Sequence, residues 1–206
     1  MSVFAHMNII ILSLVLQSQS MATVKISDYH TAPKSLEEEA RVALSHYPQL
    51  ADVVIDIRFK SDIKKSTMQA QPVFADLFKS KQQRRYVIFI SKKVKITDSE
   101  FSTKYIPSNV IIGWLGHELG HICDYQTKSG FGLVFFGLKY LFSKAFIKDA
   151  ERAADTYAIR YGMYEYILAT KHFILDHADI PESYKNRIRA YYLSPEEIMI
   201  LVDELK

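Results

Sequence analysis

Two histidines four positions apart, with a glutamate directly after the first, stand at His117-Glu118-Leu119-Gly120-His121. On a helix, residues four apart share a face, so both imidazoles can grip one divalent ion. The glutamate beside the first is then directed toward the open side of that ion, where a general base is needed. Zinc accepts neutral imidazole nitrogen readily, and its catalytic sites use three protein ligands and keep a fourth position for water. The chain has one cysteine, Cys123, so a thiolate cluster is excluded and the third ligand must be histidine or carboxylate. A candidate lies thirty residues beyond His121, in Glu151-Arg152-Ala153-Ala154-Asp155. Glu151 and Asp155 are also four apart, and the two alanines allow their helix to come close to another. Glu151 can complete the ligand set while Asp155 orients a ligand histidine through its second ring nitrogen. The plainer alternative is a pair of surface carboxylates beside Arg152.

For this geometry the histidine segment must be helical. Ser108 is placed to cap a helix that runs through Ile111, Ile112, Leu115, Leu119 and Ile122 and stops near Ser129-Gly130. Gly113, Gly116 and Gly120 would each cost a surface helix about 1 kcal/mol against alanine, so other backbone is expected to pack on them. A further helix is expected over Lys148 to Tyr161, with Gly162 just past its end. Asp179 with Pro181 starts another, and Ser194-Pro195-Glu196-Glu197 forms a capping box with proline at the first helical position.

Ahead of Pro107 the pattern changes. Ser35-Leu36-Glu37-Glu38 has the form of a capping box opening a helix to about His46. Asp52 to Lys60 and Arg85 to Lys92 alternate, are rich in β-branched residues and read as strands. Between them Val73-Phe74 suggests a third strand, which Pro72 would confine to a sheet edge. The expectation is one α+β domain over residues 21–206. A small antiparallel sheet is followed by a mainly helical C-terminal two-thirds carrying the metal site.

The 206 residues are 49% hydrophobic, which suits a packed core. Lysine and arginine number 26 against 23 acidic residues, scattered along the chain, so nucleic acid is not an expected partner. The apolar run Ile9 to Leu16 is too short to span a bilayer, which needs about 20 residues. It fits the apolar stretch of a secretory signal with Ser18 and Ser20 before a cleavage point, although Met1 to Asn8 holds no lysine or arginine. That reading implies export or membrane association; the other, that Met21 is the start, implies a cytoplasmic protein. Residues 131–146 are strongly apolar but interrupted by Lys139 and Lys144. They read as a buried core helix, as an interfacial segment with snorkelling lysines that gives peripheral membrane contact, or as a substrate-binding wall.

HELGH followed by ERAAD resembles the gluzincin metallopeptidases. The likeness is to the branch with HExxH and ExxAD on nearby helices, which includes the CAAX prenyl proteases, the HtpX-type membrane proteases and their soluble minimal relatives. The motifs cover Trp114 to Gly162, and the chain departs from the membrane-embedded members in lacking their several long spans. The resemblance implies a zincin-like fold and one zinc ion held by His117, His121 and Glu151, with Asp155 behind the ligands. It also implies endopeptidase activity on a peptide or protein substrate. An ion so held polarises a carbonyl and acidifies water; Glu118 then takes the water proton and delivers it to the leaving amine. One more donor is expected to stabilise the oxyanion, from among His172, His177, Tyr184, Arg187 and Arg189. Arg187 is preferred because its surroundings, IPESYKNRI, resemble a basic segment of the HtpX-like branch. The strand from Arg85 to Lys92 is the edge expected to receive an extended substrate.

A rival of another class is a non-catalytic protein that keeps the metal site for binding or regulation. Glu118 weighs against it, since a structural site has no use for that carboxylate. A carboxylate-bridged di-iron site would need a second Glu-x-x-His pair, which the sequence lacks.

Overall fold

Five short strands form a sheet in the order β1-β2-β3-β5-β4. They are β1 (Thr23–Lys25), β2 (His30–Pro33), β3 (Ile55–Lys60), β4 (Met68–Pro72) and β5 (Tyr86–Ser91). The computed structural model describes residues 22–61, 63, 66–91, 93–96, 99–102, 106–177 and 180–206. The apolar run of the first twenty residues and Asp179 lie outside them.

The sheet is mixed, not antiparallel as the sequence suggested. β2 and β3 run parallel, as do β3 and β5, while β1 against β2 and β4 against β5 are antiparallel. For β2 and β3 the cause is the helix α1 (Glu37–Ser45) between them, which returns the chain to the end from which it started; β3 and β5 are parallel because β4, between them in sequence, lies on the far side of β5 and antiparallel to it. Period-two alternation carries no direction, so it cannot reveal such a crossover. β5, flanked on both sides, is buried over nearly its whole length and is an interior strand. The edge on that side is β4, which contains Pro72, and Val73-Phe74 follow it as the start of a 3-10 turn. Proline at the edge obeys the ladder, since its missing N–H opens no gap between strands. A separate pair, β6 (Lys93–Ile96) with β7 (Ser99–Ser102), is antiparallel.

Among the described residues six helices follow: α2 (Ser108–Thr127), α3 (Gly130–Phe142), α4 (Lys144–Arg160), α5 (Tyr164–Asp176), α6 (Glu182–Tyr191) and α7 (Pro195–Glu204). The molecule is therefore α+β, with the small sheet first and helices after it. Helix α2 is buried on almost every side, from Val110 to Tyr125, and it packs against α1, α4, α5 and β4. A helix apolar all round belongs at the centre of a fold. Its glycines mark the two closest approaches. A Cβ on Gly113 would stand 2.3 Å from the Tyr166 carbonyl oxygen of α5, and one on Gly120 would stand 2.4 Å from the Ala154 carbonyl oxygen of α4.

Local signals fare unevenly. At α7 the capping box is complete: Glu197 N donates to Ser194 Oγ at 3.2 Å and Ser194 N donates to Glu197 Oε2 at 2.8 Å. Gly162 takes φ 77° after α4, the left-handed turn expected there. Ser108 does not cap α2; it is the first helical residue, after Pro107, and its hydroxyl donates to Glu39 Oε1 at 2.9 Å. At Ser35 the chain enters α1 through a 3-10 turn, Lys34–Leu36, so the helix proper begins at Glu37 without a side-chain cap.

Candidate metal centre

His117 and His121 leave α2 one turn apart on the side that faces α4, and their rings meet edge to face at 4.7 Å and 87°. The contact of Gly120 with Ala154 sets α4 close enough for Glu151 to reach both rings. Glu151 Oε2 lies 3.0 Å from His117 Nε2 and 3.5 Å from His121 Nε2, and one donor atom from each residue falls within 4.8 Å of the others. A tetrahedral ion with bonds near 2.0–2.1 Å would hold its ligand atoms about 3.3 Å apart, so this spacing fits. Two imidazoles and a carboxylate, all buried, make a group that can hold a metal ion. His121 Nδ1, also buried, has no hydrogen-bond partner.

Behind this cluster, Asp155 Oδ1 is 2.9 Å from His117 Nδ1. Its other oxygen accepts from Lys171 Nζ at 2.8 Å and from the Leu193 amide at 3.1 Å, so the carboxylate is fixed from three directions. Burial works to raise the Asp155 pKa, but Lys171 and His117 hold it down at about 2. Burial likewise works to lower the His117 pKa, yet Asp155 and Glu151 keep it up at about 10. Glu151 stays well below the usual carboxylate range, because the two histidines outweigh its burial. Its second oxygen accepts a hydrogen bond from Tyr140 of α3. Desolvation and the Glu151 charge push the Tyr140 pKa upward, which keeps that hydroxyl protonated and donating.

Glu118 points from α2 toward the edge strand, where Ala70 N donates to its Oε2 at 2.5 Å. Burial raises its pKa, although His121 and His117 act in the opposite direction. A carboxylate with raised proton affinity in a cleft is suited to taking and returning a proton. The cleft is lined by Met68, Trp114, His117, Glu118, Tyr184 and Tyr192, among others.

Among the expected donors, Tyr184 lies in this cleft, and Arg187 stands one turn further along α6. The Arg187 charge reaches Tyr140, Tyr184 and Tyr192, opposing the burial that raises their pKa values. His172 is exposed and pairs with Asp176, Arg189 pairs with Glu182 on the surface, and His177 packs on Phe173. The strand expected to offer its edge to substrate, β5, is interior; β4 is the strand beside Glu118. Sequence reasoning did not find Tyr140, Tyr192, Lys171 or the Ala70 amide. Lys171 alone left a trace, as a charge on the inward face that carries Ile167, Thr170 and Ile174 of α5. Comparison with family models, with curated proteins and with solved structures finds no match for this chain.

Proposed function

We propose that this chain is a metal-dependent endopeptidase with a zincin-like fold, of the gluzincin type, using one zinc ion held by His117, His121 and Glu151. The single observation that carries the reading is Glu118, a buried carboxyl of raised proton affinity that lines the cleft next to the ligand cluster. Two imidazole nitrogens and one carboxylate oxygen are a set that suits catalytic zinc. Such an ion supplies Lewis acidity toward a carbonyl and toward water.

The chain's own residues do the rest. Glu118, steadied by the Ala70 amide, takes the proton of the attacking water and gives it to the leaving amine. Asp155 keeps His117 in one tautomer and one orientation, and Lys171 keeps Asp155 ionised and in place. Tyr184 and Arg187, on one face of α6, are the donors for the oxyanion. An extended peptide would lie along β4, whose backbone already meets Glu118.

The test is Glu118→Gln against the wild type, with metal content and cleavage of a fluorogenic peptide library measured on both. The expected outcome is equal zinc stoichiometry with turnover reduced by at least about 10²-fold in the variant, the range of a lost general base. Equal zinc content with no cleavage by either protein would instead favour a binding or regulatory role for the site.

A further inference from the structure

Helix α3 presents apolar side chains outward. Leu133 and Phe136 face the interior, whereas Phe131, Val134, Phe135, Leu138, Leu141 and Phe142 are exposed, the last by 84%. They recur at i, i+3, i+4, i+7, i+10 and i+11, which is one continuous stripe along a helix about 20 Å long. A second stretch of chain extends it. Phe74 and Phe78, just after β4, are also exposed, and the Phe78 ring lies 5.3 Å from that of Phe131. Gly130 permits the junction, for a Cβ there would stand 2.5 Å from the Leu77 carbonyl oxygen.

Both stretches carry mainly basic charge: of the acidic residues in or beside them, Asp76 is buried between Lys79 and Arg85, Asp124 is paired with Lys128, and Asp149 is exposed next to Lys148. From Tyr125 to Lys148 the only charged residues are Lys128, Lys139, Lys144 and Lys148. From Leu77 to Ser91 they are Lys79, Lys81, Arg84 and Arg85. Arg85 and Lys79 hold the buried Asp76, and Arg84 donates to the Lys128 carbonyl at 2.7 Å, so these serve the fold. Lys81, Lys139, Lys144 and Lys148 are exposed. An apolar aromatic stripe with a predominantly basic rim complements a surface that is apolar beneath and anionic above. A second copy of the chain is a poorer occupant, since a two-fold contact would bring the same lysines against themselves. Among the described residues no single helix is long and apolar enough to cross a membrane, and α3 and α4 together are bent by 119°. Helix α4 also carries Glu151 and Asp155 inward, so α3 can lie on a bilayer but the pair cannot run through it as one rod.

We propose that α3 and the Phe74 to Phe78 segment form one docking surface for an anionic lipid bilayer, the aromatic side chains entering the acyl boundary and the lysines meeting the phosphates. Lipid binding is read without turnover, so this inference and the peptidase reading can fail separately.

The full chain is floated with vesicles of phosphatidylcholine alone and with vesicles in which about one lipid in three is phosphatidylserine. Expected is partitioning at least about tenfold stronger onto the anionic vesicles, weakened by salt. Leu141→Glu with Phe142→Glu should cut it at least about tenfold, and Lys139→Gln or Lys144→Gln by about fivefold each, with thermal unfolding unchanged. The lysine variants keep the test decisive if the glutamate pair disturbs folding. Equal partitioning of wild type and variants, or equal partitioning onto both vesicle types, would overturn the proposal. So would a dimer that the glutamate pair dissolves in a protein that ignores both vesicle types.

Discussion

Lys171 is 3% exposed, and a lysine so deeply buried is tolerated only with a charge partner. Its ammonium donates to Asp155 and lies 4.4 Å from the centre of the Tyr192 ring. Lys171→Met leaves Asp155 short of a counter-charge, and breaking a buried pair from one side costs about 3–5 kcal/mol. We expect a loss of that order in denaturant unfolding and about 10- to 100-fold weaker zinc binding, since Asp155 orients His117. A variant as stable and as tight-binding as the wild type would remove Lys171 from the site. At this scale the sequence was most legible where chemistry imposes a spacing: His117, Glu118, His121, Glu151 and Asp155 are linked by helical periods. Tyr140 has no such signature; it is one of 13 tyrosines, and only the fold brings its hydroxyl to Glu151.

Helices α2 and α4 owe their spacing to one glycine and one alanine. Gly120→Ala would put a methyl group 2.4 Å from the Ala154 carbonyl, where backbone on both sides must move. Overpacking of this kind costs about 1–3 kcal/mol and would also shift Glu151 away from the imidazoles. Gly137 of α3 is the control: a Cβ there meets nothing within 4 Å, so Gly137→Ala should stabilise by about 0.5–1 kcal/mol. Thermal unfolding of the two variants with and without zinc checks both signs, and a benign Gly120→Ala would refute the close-packing account. Helix positions were readable because caps and glycines act locally. Strand direction was not, because β2, β3 and β5 become parallel only through connections that alternation does not record. The same blindness hid β4: Met68 to Pro72 has little β-branched content and is a strand because β5 offers it a partner.

For the whole molecule, the cluster of His117, His121 and Glu151 joins α2 to α4, and through Asp155 it is tied to α5 and to the backbone just before α7. An ion bound there and absent from the unfolded chain adds stability by mass action, about 4 kcal/mol when free zinc exceeds Kd about 1,000-fold. Chelation should therefore lower the unfolding temperature of the wild type. Glu151→Gln should blunt that response, whereas Glu118→Gln should leave it intact. An unfolding temperature indifferent to chelator would argue that the three residues do not share an ion. The order of elements, strands first and helices after Pro107, was plain from periodicity. The outward face of α3 was not, because a strongly apolar segment reads alike whether it is covered or bare.

Tyr140 hangs from the inner side of α3 and grips one oxygen of Glu151, while the outer side of the same helix is bare apolar surface. A tilt of that single rod would therefore pull on the Glu151 carboxylate through its hydroxyl tether, so the bare face and the buried cluster share one mechanical element.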